Sequence, residues 1–296
     1  MKTNQSQPVE IDWLIGCLFA LLTMIIAVQG ITPFHSWGDD FAGYILQAHA
    51  IENGSLKKEV LLNQSLLQEN PVQIGPNAYP WGVPILIWLF AKIVGFEISR
   101  LKIIEVLALG LTGFFIFQLS RFYLSRCLSL IASALVALQP FVIGQADNLL
   151  SDLPFLAICT LTIYLIELFH RRTTHEGKPS PYFSVLISAC CLIAFSIRSN
   201  GAFLVPTYLA SSSWILWKFP QLRRDMLRCV IQFVCFFVLS LILYFFLLPD
   251  GSLVHANHLS FNPFSLFIRL KEVFYACLLY TSDAADDLLC VDLGGR

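Results

Sequence analysis

Long apolar runs broken by short polar or charged segments make up the chain from its first helical turn to about residue 248. Seven runs stand out, at residues 11–31, 103–119, 128–144, 149–169, 182–197, 202–217 and 230–248. Each is near the twenty or so residues that cross about 30 Å of hydrocarbon at 1.5 Å per residue. Only helices, or a closed barrel, can make that crossing with every backbone group satisfied internally. The pattern therefore predicts an all-α, polytopic helical membrane protein. The charges between the runs orient it. Arg121 with Arg126, then Arg171, Arg172 and Lys178, then Lys218, Arg223, Arg224 and Arg228 follow every second run, and short basic loops stay in the cytoplasm. With Lys2 and the amino terminus inside, residues 32–102 form an outer loop, as do 145–148, 199–201 and everything after 249. The first run reads as an uncleaved helix, because Glu10 and Asp12 precede it and no small-residue cleavage pattern follows.

An eighth apolar segment, YPWGVPILIWLFAKIVG at 79–95, is only about 25 Å long as a helix. It also carries Pro84 near its start and Lys92 in its second half. Counting it as a crossing would invert every later basic loop. The expectation is a re-entrant or interface-lying helix on the outer side, with a full crossing as the alternative. Ahead of it, in HSWGDDFAGYILQAHAIENG, Phe41, Tyr44, Ile45, Ala48 and Ile51 recur at helical spacing, and Gly54 stands where a helix would end. This predicts an amphipathic helix lying along the membrane.

Composition sharpens the class. Of 296 residues, 56% are hydrophobic and 13% charged, with a mean hydropathy of +0.69, against about 45–50% apolar and about 25% charged in soluble domains. A soluble globular protein is excluded, and nothing points to a nucleic-acid partner. The last twenty residues, CLLYTSDAADDLLCVDLGGR at 277–296, are acidic and have no helical period. Back-translated, 277–286 and 291–296 resemble the two halves of a common transposase sequencing adapter, with room between them for one index. The tail is read as translated adapter and left out of the fold reasoning, the natural chain then breaking off mid-gene near Ala276. Without it Lys+Arg falls from 19 to 18 and Asp+Glu from 20 to 16, so the formal charge moves from −1 to +2. Nine cysteines become seven, all in or beside apolar runs and none with metal-site spacing.

Candidate chemistry gathers in the outer loops. Asp39 and Asp40 stand at the mouth of the amphipathic helix. They read either as caps of its free amides or as a general base at the lipid–water boundary, acting on an acceptor hydroxyl. Asp147 and Asp152 flank NLLS between two runs. Each is either a helix cap, Asp152 ahead of Leu-Pro in particular, or a site residue. Arg198, in SIRSNGAF, can pair with a carboxylate, hold a phosphate in a forked contact, or anchor the interface. His35, His49, His255 and His258 fall outside as well, without zinc-site spacing. No P-loop and no GxGxxG is present, so a soluble nucleotide has no seat. Inverted repeats are not evident, and Glu105 and Glu167 lie near the ends of their runs.

In order along the chain come a first span, an acidic pair opening a helix that ends in Asn-Gly, a YPxGxP segment, a Ser-Arg span end, a span ending in Pro and a Ser-Asp-x-Pro element. This order, over residues 13–206, resembles the GT-C superfamily of membrane glycosyltransferases, in particular the protein O-mannosyltransferase-like and lipid A aminoarabinose transferase-like enzymes. The resemblance aligns Asp40, through Tyr44 four positions on, with the catalytic carboxylate. This chain has Asp40-Phe41 where relatives often have Asp-Glu, leaving Asp39 as the second acid. It also aligns 79–84 with a Tyr-Pro-rich element that includes Tyr79. Ser151, Asp152 and Pro154 correspond to the second-loop element, and Arg198 to a basic residue facing the donor phosphate. Residues 1–276 would then be the amino-terminal part of a GT-C transmembrane domain. The resemblance implies inverting transfer of a hexosyl or pentosyl group from a polyprenyl-phosphate donor to an acceptor glycan, lipid or protein, at the outer face of a bacterial inner membrane. Some relatives hold a divalent metal such as Mg²⁺ or Mn²⁺, and the sequence leaves the metal open. Two other readings stay open: a transporter or flippase of lipid-linked sugars, which should tolerate loss of Asp40, and a structural subunit whose carboxylates only cap helices.

Overall fold

The computed structural model describes residues 10–35, 40–69, 78–177 and 179–249. Asp39, His255, His258 and the tail at 277–296 lie outside them. Among the described residues every regular element is helical. In order they are α1 (Glu10–Val28), α2 (Asp40–Glu52), α3 (Leu56–Glu69), α4 (Gly82–Val94), α5 (Ile98–Leu101), α6 (Ile103–Ser120), α7 (Arg126–Ala137), α8 (Pro140–Gly144), α9 (Asp152–Glu176), α10 (Pro181–Ile197), α11 (Leu204–Lys218) and α12 (Arg223–Leu247). Among the described residues four helices, Glu10–Val28, Ile98–Ser120, Asp152–His175 and Pro220–Leu247, are long and apolar enough to cross a membrane, and the bent pair at 126–147 makes a fifth if it is one span.

The expected runs appear as helices with two corrections. The run at 128–144 is not one straight helix: α7 stops at Ala137, α8 starts at Pro140, and the two axes bend by 54°. Proline has no amide to donate and forces the residue before it out of the helical region. Gln139 is accordingly extended (φ −65°, ψ 130°), and its side chain caps α8 by accepting from the Val142 amide at 2.8 Å. The run at 149–169 starts late, because Asn148 is extended (φ −117°, ψ 121°) and α9 begins only at Asp152.

Ion pairs mark the two ends of the bundle. At one end the buried Asp12 carboxylate takes Arg126 Nε at 2.6 Å and Arg121 at 3.3 Å, so the start of α1 is pinned to the α6–α7 connection. Glu167 and Arg171, one turn apart on α9, pair at 2.6 Å. At the other end Lys102 meets Asp147, and Arg198 meets Asp152. The first set joins α1 to the α6–α7 loop; the second joins the start of α6 to the 145–147 turn and the end of α10 to the start of α9.

Between the ends, lipid removes most of the hydrophobic drive for helix association, and close packing with a few polar contacts takes its place. Gln118 donates to the Asp12 carbonyl at 3.2 Å, Ser184 and Tyr208 hydroxyls meet at 3.0 Å, and Ser188 donates to the Phe233 carbonyl at 3.2 Å. Each such bond contributes about 0.6 kcal/mol in a bilayer. An apolar cluster around Tyr44, Ala48, Val83, Ile87, Leu101 and Leu149 packs α2 and α4 onto the Lys102–Asp147 end. Helices α2 and α4 run side by side in the same direction. Asp40 and Tyr79 meet at their starts, and Glu52 takes Trp88 Nε1 at 2.7 Å and Lys92 Nζ at 2.6 Å near their ends. Each has 13 residues, about 20 Å, too short to cross about 30 Å of hydrocarbon. Lys92, awkward in a span, is thus an ion-pair partner of α2. The helix predicted over 41–51 is α2, and Gly54 follows it with φ of +64°, a backbone region that side chains other than glycine rarely adopt.

Candidate functional site

The site grows from one face of α2. Asp40, Gly43, Tyr44 and Gln47 are spaced at i, i+3, i+4 and i+7, so they form one stripe. All four meet Tyr79. The Tyr79 hydroxyl donates to Asp40 Oδ1 at 2.8 Å, and the Tyr44 ring meets the Tyr79 ring edge-on with centroids 4.9 Å apart. Gln47 accepts from the Tyr79 amide at 2.8 Å and donates to the Tyr79 carbonyl at 3.1 Å. A Cβ on Gly43 would fall 2.4 Å from the Tyr79 ring, so only glycine lets the ring lie flat there.

The chain then passes from Tyr79 to Gly82, where a Cβ would fall 2.6 Å from the backbone of Ser196 and Ile197. This close approach seats the YPWG segment directly against the end of α10. Arg198 follows in extended conformation (φ −146°, ψ 135°), and its guanidinium pairs with Asp152, the first residue of α9. Of the two readings open for Asp152, the side-chain cap is not what forms: the cap position is Ser151, without a capping bond, and the Asp152 carboxylate is turned to Arg198. The pair is open to solvent, 41% and 48% exposed.

Tyr44 lies between the two halves. Burial pushes its phenol above the ordinary value, the Ser151 hydroxyl hydrogen-bonded to it pulls the other way, and the charges of Asp40, Arg198 and Asp152 all act on it. Asp40 and the Arg198–Asp152 pair thus flank one buried tyrosine, with the Tyr79–Gly82 segment joining them.

Asp147 has gone elsewhere. Its Oδ1 takes the Thr32 amide and Lys102 Nζ, both at 2.7 Å, and its Oδ2 takes the Thr32 hydroxyl at 2.8 Å. Lys102 also donates to the Thr32 carbonyl at 2.9 Å and the Phe34 carbonyl at 2.7 Å. His35 stacks on Phe41 at 3.8 Å and accepts from the Leu149 amide at 2.9 Å, and His49 stacks on Phe96 at 3.8 Å. Among the described residues no three His, Cys, Asp or Glu side chains come together as a metal ion would need.

Three residues are easy to pass over in the sequence. Gln47 carries a signal, being the polar member of the Asp40–Tyr44 stripe, whereas Lys102 only marks the start of an apolar run. Glu105, in the first turn of α6, is 1% exposed. Neither oxygen of its carboxyl completes a hydrogen bond, the Leu150 amide beside it being taken by the Asn148 carbonyl at 2.9 Å.

Beneath the pair, between α4, α6, α9 and α10, lies a cavity of about 310 Å³. Its lining is apolar throughout and includes Leu86, Phe90, Ile104, Pro154, Ile193 and Ile197. Ile197 adjoins Arg198, and Pro154 stands two residues from Asp152, so a polar exposed site sits over an apolar recess.

The family model described as dolichyl-phosphate-mannose-protein mannosyltransferase matches residues 78–247. The match takes in Tyr79, Asp147, Asp152 and Arg198, and begins after α2. No curated protein and no solved structure matches the chain.

Proposed function

The chain belongs to the dolichyl-phosphate-mannose-protein mannosyltransferase family, and from that premise we propose that it moves a sugar from a polyprenyl-phosphate carrier to an acceptor hydroxyl at the outer face of a bacterial inner membrane. The observation that carries this reading is a phosphate-sized cation, Arg198, exposed at the rim of an apolar recess and joined by Tyr79–Gly82 to a carboxylate, Asp40. A lipid-linked donor has that pairing of chemistries: an apolar chain for the recess and an anionic phosphate for the guanidinium.

In the reaction the acceptor oxygen attacks the anomeric carbon. Its proton passes to Asp40, and the bond from carbon to phosphate oxygen breaks, the electron pair leaving with the polyprenyl phosphate. Attack opposite the leaving group inverts the centre, through an oxocarbenium-like transition state. Asp40 acts as general base, with the Tyr79 hydroxyl holding its carboxylate toward the acceptor. Arg198, released from Asp152, stabilises charge developing on the phosphate. Asp39, beside Asp40 in sequence, is the second acid of this reading. Asp147 supports the loop and does not touch substrate.

The test is sugar transfer from radiolabelled polyprenyl-phosphate sugars in membranes, wild type beside Asp40→Asn. Transfer by the wild type and none by Asp40→Asn is the expected outcome. Equal transfer by both removes Asp40 as the base. Donor carried across the bilayer uncleaved by both would establish the transporter reading instead.

A further inference from the structure

We propose that Gln47 is a positioning residue for the reaction: through Tyr79 it sets the direction of the Asp40 carboxylate. The inference rests on the reading of Asp40 as the base. It starts from an unusual use of a buried amide. Gln47 is 1% exposed, and both ends of its side chain are spent on one residue, accepting from the Tyr79 amide at 2.8 Å and donating to the Tyr79 carbonyl at 3.1 Å. This imitates one rung of a sheet ladder, made by a side chain. It fixes both the position and the twist of the Tyr79 backbone.

The ring is held at two further points. Gly43 leaves a flat seat beneath it, and the Tyr44 ring closes its side at 4.9 Å. With backbone and ring fixed, the hydroxyl donates to Asp40 Oδ1 at 2.8 Å. Asp40 is exposed at the first turn of α2, and the Tyr79 hydroxyl is a donor that restrains its rotamers. The chain of control runs from Gln47 to the Tyr79 backbone, then to the Tyr79 hydroxyl and the base. Gly82 ties the other end of the same segment to the backbone before Arg198. The Tyr79–Gly82 segment is thereby a splint between the carboxylate and the phosphate-facing guanidinium, with Gln47 as its fixing at the carboxylate end.

A catalytic group displaced by about 1 Å loses about a hundredfold in rate. The experiment compares Gln47→Met, Tyr79→Phe and the double variant in the full-length protein in membranes, reading kcat and donor KM for transfer. Methionine keeps the length and volume of glutamine and removes both bonds. Expected is a fall in kcat of about tenfold to a hundredfold for each single variant, with donor KM unchanged. The double variant should be no slower than the slower single one, because both changes cut the same chain. A residue that only supports the fold would lower the amount of active enzyme, and its effect would multiply with that of Tyr79→Phe. Multiplying effects, or an unchanged kcat in Gln47→Met, would overturn the proposal. If Gln47→Met does not accumulate, Tyr79→Phe decides alone, since it leaves the Gln47 bonds and the ring in place: an unchanged kcat overturns the proposal. Asp40→Asn is run alongside. Inactive Asp40→Asn with a fully active Gln47→Met defeats only the role of Gln47, whereas an active Asp40→Asn defeats the reading on which it rests.

Discussion

Asp147 and Asp152 stand five residues apart at the same end of the bundle, each paired with a cation, and they have opposite characters. Lys102, opposite Asp147, is 0% exposed, and its partner carboxylate is 19% exposed. The three ammonium protons have carboxylate and carbonyl acceptors in Asp147, Thr32 and Phe34. Both Asp147 oxygens are taken as well. Arg198, opposite Asp152, uses one of its five donors on a side chain among the described residues, and both partners are exposed to about the same degree. A saturated buried pair has nothing to offer a ligand and a large cost if broken. An exposed, unsaturated one contributes little to stability, a median near 0–1 kcal/mol, and can exchange its carboxylate for a phosphate. The first therefore holds the loop after α1 in place, and the second is the one that the proposed reaction draws on.

The sharpest way to break this contrast is Lys102→Met, which takes the cation from Asp147 and the ammonium donor from two loop carbonyls. Removing one partner of a buried pair costs about 3 kcal/mol, so thermal unfolding in detergent should show a large loss of stability. A change below about 1 kcal/mol would make the two pairs alike. Arg198→Ala should do the reverse. Stability should stay within about 1 kcal/mol of wild type, while donor affinity falls about tenfold or more with the loss of charge-assisted bonds to phosphate. Unchanged affinity would return Arg198 to the role of an interface anchor. The smallest effect concerns Glu105, which belongs to neither pair. Removing a buried carboxyl whose oxygens make no hydrogen bond should leave stability unchanged or raise it by about 1 kcal/mol in Glu105→Met. A marked loss in the same unfolding assay would mean that the carboxyl has a partner in the working protein.

Much of the helical layout is legible in the sequence, because apolar runs and basic loops state local and global constraints at once. The run at 103–119 is α6 almost to the residue, and the stripe from Phe41 to Ile51 is α2. What the runs do not show is where a helix bends inside an apolar stretch. The run at 128–144 reads through Gln139 and Pro140 because both its sides are apolar, and the backbone chemistry of Pro140, with Gln139 as the cap, breaks it. The site was legible in part. Among the residues that the sequence singles out, Asp40, Tyr44 and Tyr79 come together, and so do Asp152 and Arg198. Asp147 reads in the sequence as the equal of Asp152. The difference between them is made by Lys102 and Thr32, 45 and 115 positions away, and no period or spacing announces contacts of that range. Gln47 is the intermediate case, since its place on the Asp40–Tyr44 stripe is visible, but its partner is not.

The most direct measurement is donor binding and sugar transfer read together, on wild type, Asp40→Asn and Arg198→Ala in membranes, with a radiolabelled polyprenyl-phosphate sugar. The account predicts that Asp40→Asn binds donor as wild type does and transfers nothing, whereas Arg198→Ala binds about tenfold more weakly. Transfer by Asp40→Asn at the wild-type rate, with donor bound equally well by Arg198→Ala, would contradict it.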